Sequence, residues 1–393
     1  MEIKQIYDLV NTITTEELGL ETVVKEDLTN IVDVGKEIFN GDAVDRYVRS
    51  LVNHIGKVIF VDRPYSGTAP SVMMDGWEYG SILEKITVDE LPEAEENESW
   101  ELTDRVSYDV NVFYKPKVSA KFYNKRTTFE IPMSFTEMQV KQSFSNAGQL
   151  NAFLSMLRTS VDNSMTVKTD ALISRVINNM ILQTMHAEFP DGDFGDDSGI
   201  KAVNLLKLYN DKFEPTTPLT AEKCMTSPEF IRWASYTMGL YTDRMRKMST
   251  LFNVGGKARF TPSDRLHFIL LSEFAKAADI YLQSDTFHDN FTKLPNAETV
   301  PYWQGSGLDY GSETGEINGT IETEAGKVDV NVTGILGVMF DRWALGVANL
   351  DKRVTTNYNA KAEFWNNWYK FDAGYFNDLN ENFVVFYVAD AET

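Results

Sequence analysis

The 393-residue chain has one cysteine, Cys224, so no intrachain disulfide can form and the fold must rest on packing and hydrogen bonds. Histidines are almost as scarce. His54, His186, His267 and His288 stand far apart, none in a His-x-x-x-His or Cys/His spacing, which leaves a zinc site without local support. Basic charge is short as well: Lys plus Arg is 37 against 58 Asp plus Glu, a formal net charge of −21. That balance excludes a domain-wide basic footprint for nucleic acid and favours solubility. No stretch approaches the roughly 18 uninterrupted apolar residues of a membrane span. The N-terminus, MEIKQIYDLV, lacks a basic start followed by an apolar run, so no signal peptide is expected.

Catalytic signatures are missing too. There is no Walker A sequence and no Gly-x-Ser-x-Gly elbow, and Gly305-Ser-Gly307 followed by Gly311 misses the dinucleotide spacing. Asp191-x-Asp193-x-Gly195-Asp196 exchanges the fifth and sixth positions of a calcium loop, and Ala202 stands where the bidentate Glu belongs. Cys224, beside Met225 and just before a capped helix, reads as packed. The expectation is therefore no catalytic residue, no cofactor and no metal.

What the chain does have is concentrated at its end. Ile335 to Phe340 reads as a buried strand, Asp341 to Leu345 as a tight turn, and Phe383 to Val388 as a second apolar strand. Eleven aromatics fall between Tyr358 and Tyr387, too much apolar surface to leave in water. The end of the chain is expected to be core, packed on something laid down much earlier. The rival reading makes Phe364 to Phe376 a platform for stacking sugars or bases.

Elsewhere the pattern is mixed. The first forty residues look like an arm of short helical pieces, with Thr14 and Glu17 spaced as a capping box. Val44, Tyr47, Val48, Leu51, Val52 and Ile55 line one face of a helix, Gly56 ends it, and Lys57 to Asp62 reads as a strand. Ser134 and Glu137 suggest a second capping box. From Gln149 to Met185 there is neither Gly nor Pro, which predicts a spine helix of about 55 Å. Pro190 and DGDFGDDSG mark a boundary. Ser227 with Pro228 opens a helix to about Ser249, Leu266 to Leu271 is a strand, and Ser272 caps a short helix. Ile317 to Glu322 and Lys327 to Val332 form a hairpin.

Charge is segregated between these parts. Asp89 to Asp104 carries eight acidic residues and no basic one, whereas Arg105 to Arg126 carries six basic and one acidic. The expectation is an extended hairpin with an acidic and a basic limb, Pro116 marking the basic limb as partly an edge. Such limbs would find opposite charge on neighbouring copies. The candidate contacts are Lys115, Lys117, Lys121, Lys125 and Arg126 on one side, and Glu93, Glu95, Glu96 and Glu98 on the other. The plainer alternative is two solvated faces of an ordinary sheet.

The order of parts resembles the major capsid protein of tailed bacteriophages, most of all the short-tailed podovirus type. The resemblance is carried by VDRYVRSLVNHIGKVIF (44–60), the spine (134–185), RFTPSDRLHFILLSEFAKAAD (259–279) and VMFDRWALGV with its aromatic return (338–388). It implies an α+β capsid fold: an N-terminal arm and helix (1–56), an extended loop (57–133), a peripheral spine helix (134–194), an axial domain (195–332) and peripheral C-terminal strands (333–393). It also implies a structural, non-enzymatic protein that assembles in the host cytoplasm into pentamers and hexamers of a virion head around double-stranded DNA, touched weakly and without sequence preference. A portal protein would be a partner. With the loop strand starting near Lys57, no room is left for an internal scaffolding segment, so a separate scaffolding protein is implied. No residue matches the Lys–Asn crosslink of some relatives. Two alternatives stay open, an encapsulin-like compartment and a carbohydrate-active enzyme using the aromatic platform with a carboxylate pair.

Overall fold

The computed structural model describes residues 69–74, 83–88, 101–107, 115–139, 147–283, 297–306, 309–310, 315–323 and 326–391, with a few single positions between. The expected arm, the helix from Val44 and the strand from Lys57 lie outside the described residues, as do Glu93, Glu95 and Glu98.

In chain order the first strands are β1 (Met73–Met74), β2 (Leu83–Val88), β3 (Val118–Tyr123) and β4 (Arg126–Thr136), followed by helix α1 (Ala147–Glu188). Then come β5 (Ala202–Asn204), α2 (Leu205–Phe213), α3 (Ala221–Cys224), α4 (Pro228–Arg246), β6 (Leu266–Leu271) and α5 (Ser272–Gln283). Short strands β7 (Ala297–Val300), β8 (Gly305–Ser306) and β9 (Asp309–Tyr310) lead to β10 (Ile317–Thr323) and β11 (Gly326–Val332). The chain closes with β12 (Ile335–Asp341), β13 (Leu345–Asn359), β14 (Phe364–Asn377) and β15 (Phe383–Tyr387). The chain divides into two compact units, one from 1–79, 126–172 and 348–374, the other from 80–125, 173–347 and 375–393.

The first unit is built on a sheet of order β1-β13-β14-β4. Alternation along β14 sends Trp365, Asn367, Tyr369 and Phe371 to one buried face. Register then sets aromatic on aromatic: Trp365 lies opposite Phe135 with ring centroids 6.0 Å apart, and Phe371 opposite Phe129 at 5.0 Å. Buried Asn367 is satisfied by the Thr356 hydroxyl, which it accepts at 3.0 Å, and by the Met133 carbonyl, to which it donates at 3.3 Å. Trp365, Tyr369, Phe371 and Phe376 are buried, so the stacking platform that the carbohydrate reading needed is core instead.

The expected capping box at Ser134 and Glu137 sits two residues further on. Ser134 is still in β4, opposite Asn366, to whose side-chain oxygen its hydroxyl donates. The box itself is Thr136 and Gln139: the Gln139 amide donates to the Thr136 hydroxyl at 3.3 Å, and the Thr136 amide donates to Gln139 Oε1 at 2.9 Å. Sheet pairing prolonged the strand past the residues whose spacing alone suggested a helix start.

The second unit is organised by a mixed sheet of order β5-β15-β12-β6-β7. Strand β15 runs antiparallel to β12 and parallel to β5, so the last strand fills a slot between β12 and the much earlier β5. The expected closure of the core by the chain's far end is thus realised. One sheet face (Phe268, Leu270, Met339, Val384, Phe386) joins Phe230, Ala234, Met238 and Tyr241 of α4 in a single cluster. Helix α4 starts where local chemistry required: Ser227 caps it by accepting from the Phe230 amide at 3.4 Å, with Pro228 in the first turn. The predicted β10–β11 hairpin is present, Ile317 pairing Val332. Gly334 adopts φ +70° ahead of β12 while its carbonyl accepts from Val388 at 3.0 Å, a conformation and a close approach that suit only glycine.

Candidate assembly surface

Strands β2 and β3 form a two-stranded antiparallel sheet in the second unit, with Lys85 opposite Lys121, Ile86 opposite Ala120 and Val88 opposite Val118. Alternation sorts the side chains into two faces. Leu83, Lys85, Thr87, Ser119, Lys121 and Tyr123 are half-buried, whereas Glu84, Ile86, Val88, Val118, Ala120 and Phe122 are exposed. The usual polarity of a surface hairpin is inverted. Lysines point in, while Ile86 (64% exposed) and Phe122 (63%) point out.

Two lysines directly opposite each other would repel. Asp378, in the turn between β14 and β15, removes the conflict: its Oδ2 lies 2.7 Å from Lys85 Nζ and its Oδ1 2.8 Å from Lys121 Nζ. Lys85 also donates to Glu381 Oε1 at 2.7 Å and to the Trp343 carbonyl at 3.2 Å. Arg259 places Nε 3.6 Å from Glu381 and donates Nη1 to the Val88 carbonyl at 3.1 Å. The Asp378 side chain is 1% exposed, and such burial opposes its charge. The Lys85 charge and the hydrogen bonds from Lys121 and Lys85 outweigh that penalty, and hold the carboxyl below the usual carboxylate range. The turn supports the group: Asn380 donates its amide to Asp378 Oδ1 at 3.1 Å, and the Asp378 amide donates to the Ala344 carbonyl at 2.6 Å. Tyr123 packs on Phe376 at 5.1 Å between centroids.

The hairpin differs from the expected one in its pairing. Its limbs are 83–88 and 118–123, and the acidic run from Asp89 to Asp104 belongs to the connection between them. Residues 101–107 are exposed and carry no strand, and Glu96 is exposed without strand structure. Acidic, Pro- and Asn-containing sequence is a poor strand former, and the β-branched residues of LEKITV take the pairing instead. Lys115 and Lys117 are exposed and precede β3, Pro116 standing between them outside the strand. Lys125 and Arg126 are exposed, just before and at the start of β4; the Lys125 carbonyl accepts from the Tyr375 amide at 3.1 Å. Lys121 is half-buried and already engaged. Its partner is Asp378 of its own chain, because alternation turns it to the inner face while Phe122 takes the outer one. Lys85, Asp378, Glu381 and Arg259 were not anticipated. The alternation of LEKITV separates two faces, but the sequence has no signal for which of them meets the protein.

Cys224 is buried, with its Sγ donating to the Ala221 carbonyl at 3.0 Å, and burial pushes the thiol up to about 12, the reverse of an activated nucleophile. Among the described residues no group of His, Cys, Asp or Glu side chains is placed to hold a metal ion, and no helix is long and apolar enough to cross a membrane.

The fold defines the class of protein. The chain is similar to a protein in the capsid structure of Staphylococcus phage Andhra, with a TM-score of 0.51, 10% identity, and coverage of 84% of this chain and 86% of that one. It also matches chains in a structure of the head fibre and inner core protein of native bacteriophage P68 (TM-score 0.48, 7% identity, coverage 84% and 86%) and in the capsid of cyanophage P-SCSP1u (0.43, 11%, 81% and 87%). The architecture is that of a phage capsid subunit, as the order of parts implied. No curated protein matches the sequence. The model of the Phi29-like phage major capsid protein family matches residues 10–387, and the chain belongs to that family. It is a structural component of the phage head, and it assembles into a multimeric shell.

Proposed function

We propose that this capsid subunit forms pentamers and hexamers of a head that encloses double-stranded DNA, and that the β2–β3 hairpin is the element by which one copy clasps the next. The observation that carries this is the hairpin's outward apolar face. Ile86, Val88, Val118 and Phe122 are 46–64% exposed on a strand pair whose charged face is already satisfied within the chain. Apolar area gains about 25 cal/mol per Å² on leaving water, and in a shell-forming protein the surface that removes it is another copy of the same chain. The exposed charges at Glu96, Lys115, Lys125 and Arg126 then act at the rim, each pair worth about 0–1 kcal/mol alone and repeated throughout the shell. Lys117, Glu93, Glu95 and Glu98 remain proposed members of the same rim.

The family's parts are assigned as an arm and helix (1–56), an extended loop (57–133), a spine (134–194), an axial domain (195–332) and returning strands (333–393). A separate scaffolding protein and a portal protein complete the assembly, which takes place in the host cytoplasm. The net charge of −21 supports weak, nonspecific contact with packaged DNA.

The test is to express the full chain with its candidate scaffold and image the product by negative-stain microscopy, for the wild type and for Ile86→Asp/Phe122→Asp. Shells from the wild type, and soluble folded subunits without shells from the double variant, are expected. Normal shells from the variant would remove the hairpin from the interface.

A further inference from the structure

Among the described residues the β2–β3 hairpin pairs with no third strand, and the middle of the face it offers its own unit is polar, with Lys85 and Lys121 beside Thr87 and Ser119. Leu83 and Tyr123, paired at one end, are the apolar members of that face. A lone two-stranded hairpin is marginal in water. Burial of apolar surface, acting alone, would turn this one over, hiding Ile86, Val88, Val118 and Phe122 and releasing the lysines to solvent. Something specific must hold the inverted pose. The group positioned to do so is the Asp378 carboxylate, which accepts one lysine ammonium on each oxygen, with Glu381 sharing Lys85. Both carboxylates stand on the turn that links β14 to the terminal strand β15.

We propose that Asp378 is the pin of an ionic clamp that sets the orientation of the hairpin in the isolated subunit, and so decides which face is offered to the next copy. Directional charge-assisted hydrogen bonds give a unique pose where apolar contact is indifferent to register and facing. The clamp also ties the hairpin to completion of the core, since its acidic half is in place only once β15 has entered the sheet. The purpose of the clamp rests on the shell reading. The clamp itself is a property of the unassembled chain and is measured there.

Hydrogen exchange on the full-length unassembled subunit provides the test, with Lys85→Gln/Lys121→Gln, Asp378→Asn and, as control, Lys247→Gln at an exposed position outside the hairpin. In the first two variants, amides of 83–88 and 118–123 should exchange about tenfold faster or more, while β6, β12 and β15 keep wild-type protection and shell yield falls. Asp378→Asn also disturbs its own turn. Should it unfold β15, the lysine variant, which changes residues of the hairpin alone, decides. Unchanged hairpin exchange in the lysine variant overturns the clamp. Faster exchange with wild-type shell yield overturns its role in assembly. A wild type that forms no shells refutes the shell reading, and the exchange data still judge the clamp.

Discussion

Replacing Phe386 with alanine should destabilise the second unit by about 3–5 kcal/mol, the range for deleting a buried phenyl ring. The structure puts the residue at the demanding end of that range. Phe386 is fully buried on β15, between β5 and β12. Its ring meets Tyr241 of α4 edge-on at 5.3 Å and lies 5.9 Å from Phe268 of β6. Removing it breaks two aromatic contacts and opens a void that helix and sheet both line, with backbone pairing on each side limiting collapse. Domains have about 5–15 kcal/mol in total, so the loss is a large fraction of the stability. Urea unfolding of the unassembled subunit, followed by circular dichroism, would read the magnitude. Because a two-unit chain need not unfold in one step, hydrogen exchange at β6, β12 and β15 should accompany it. Phe386→Leu, which refills most of the volume, should lose less. A loss below about 1 kcal/mol for the alanine variant, outside the range for such deletions, would mean that the terminal strand does not close this core.

Two further outcomes follow from the geometry. Gly334→Ala should cost about 2 kcal/mol or more, because an alanine at φ +70° pays the left-handed penalty and its Cβ would run into the Val388 carbonyl; thermal unfolding of the subunit reads it, and a wild-type midpoint would contradict it. Acid should release the hairpin clamp. Asp378 has a lowered pKa, so its contribution is complete above the ordinary carboxylate value and fades as pH falls below about 4, through the still lower folded value. The cluster also contains Glu381, Lys85, Lys121 and Arg259, and Tyr123, whose pKa burial and then the Asp378 charge raise. Asp341, which feels Lys85, has the opposite sign: burial raises its pKa, so its protonation comes first and relieves a cost instead of adding one. Hairpin amide exchange, corrected for intrinsic rates, should therefore rise only in the lower part of an acid titration; a flat profile there would refute the assignment.

Elements governed by local chemistry were legible in the sequence. The Gly- and Pro-free run becomes α1, Ser227-Pro228 opens α4, LHFILL is β6, and the turn at Gly326 joins β10 to β11. The burial of the C-terminal aromatics was legible too, since the area involved could not stay in water. Ser134 shows the limit of local reading, because its cap spacing lost to a strand partner, Asn366, far along the chain. The acidic run shows another, since charge alone cannot say which residues pair.

What the sequence by itself determined is the alternation of LEKITV and VSAKFY, and with it the existence of one face that carries both lysines and one that is mostly apolar. Only the tertiary structure decided which face meets the protein. The deciding partner, Asp378, is 293 residues from Lys85, and it reaches the hairpin because β14 and β15 turn beside it. A period of two is set by backbone geometry at each residue, whereas the facing is set by where a distant carboxylate finds its countercharge.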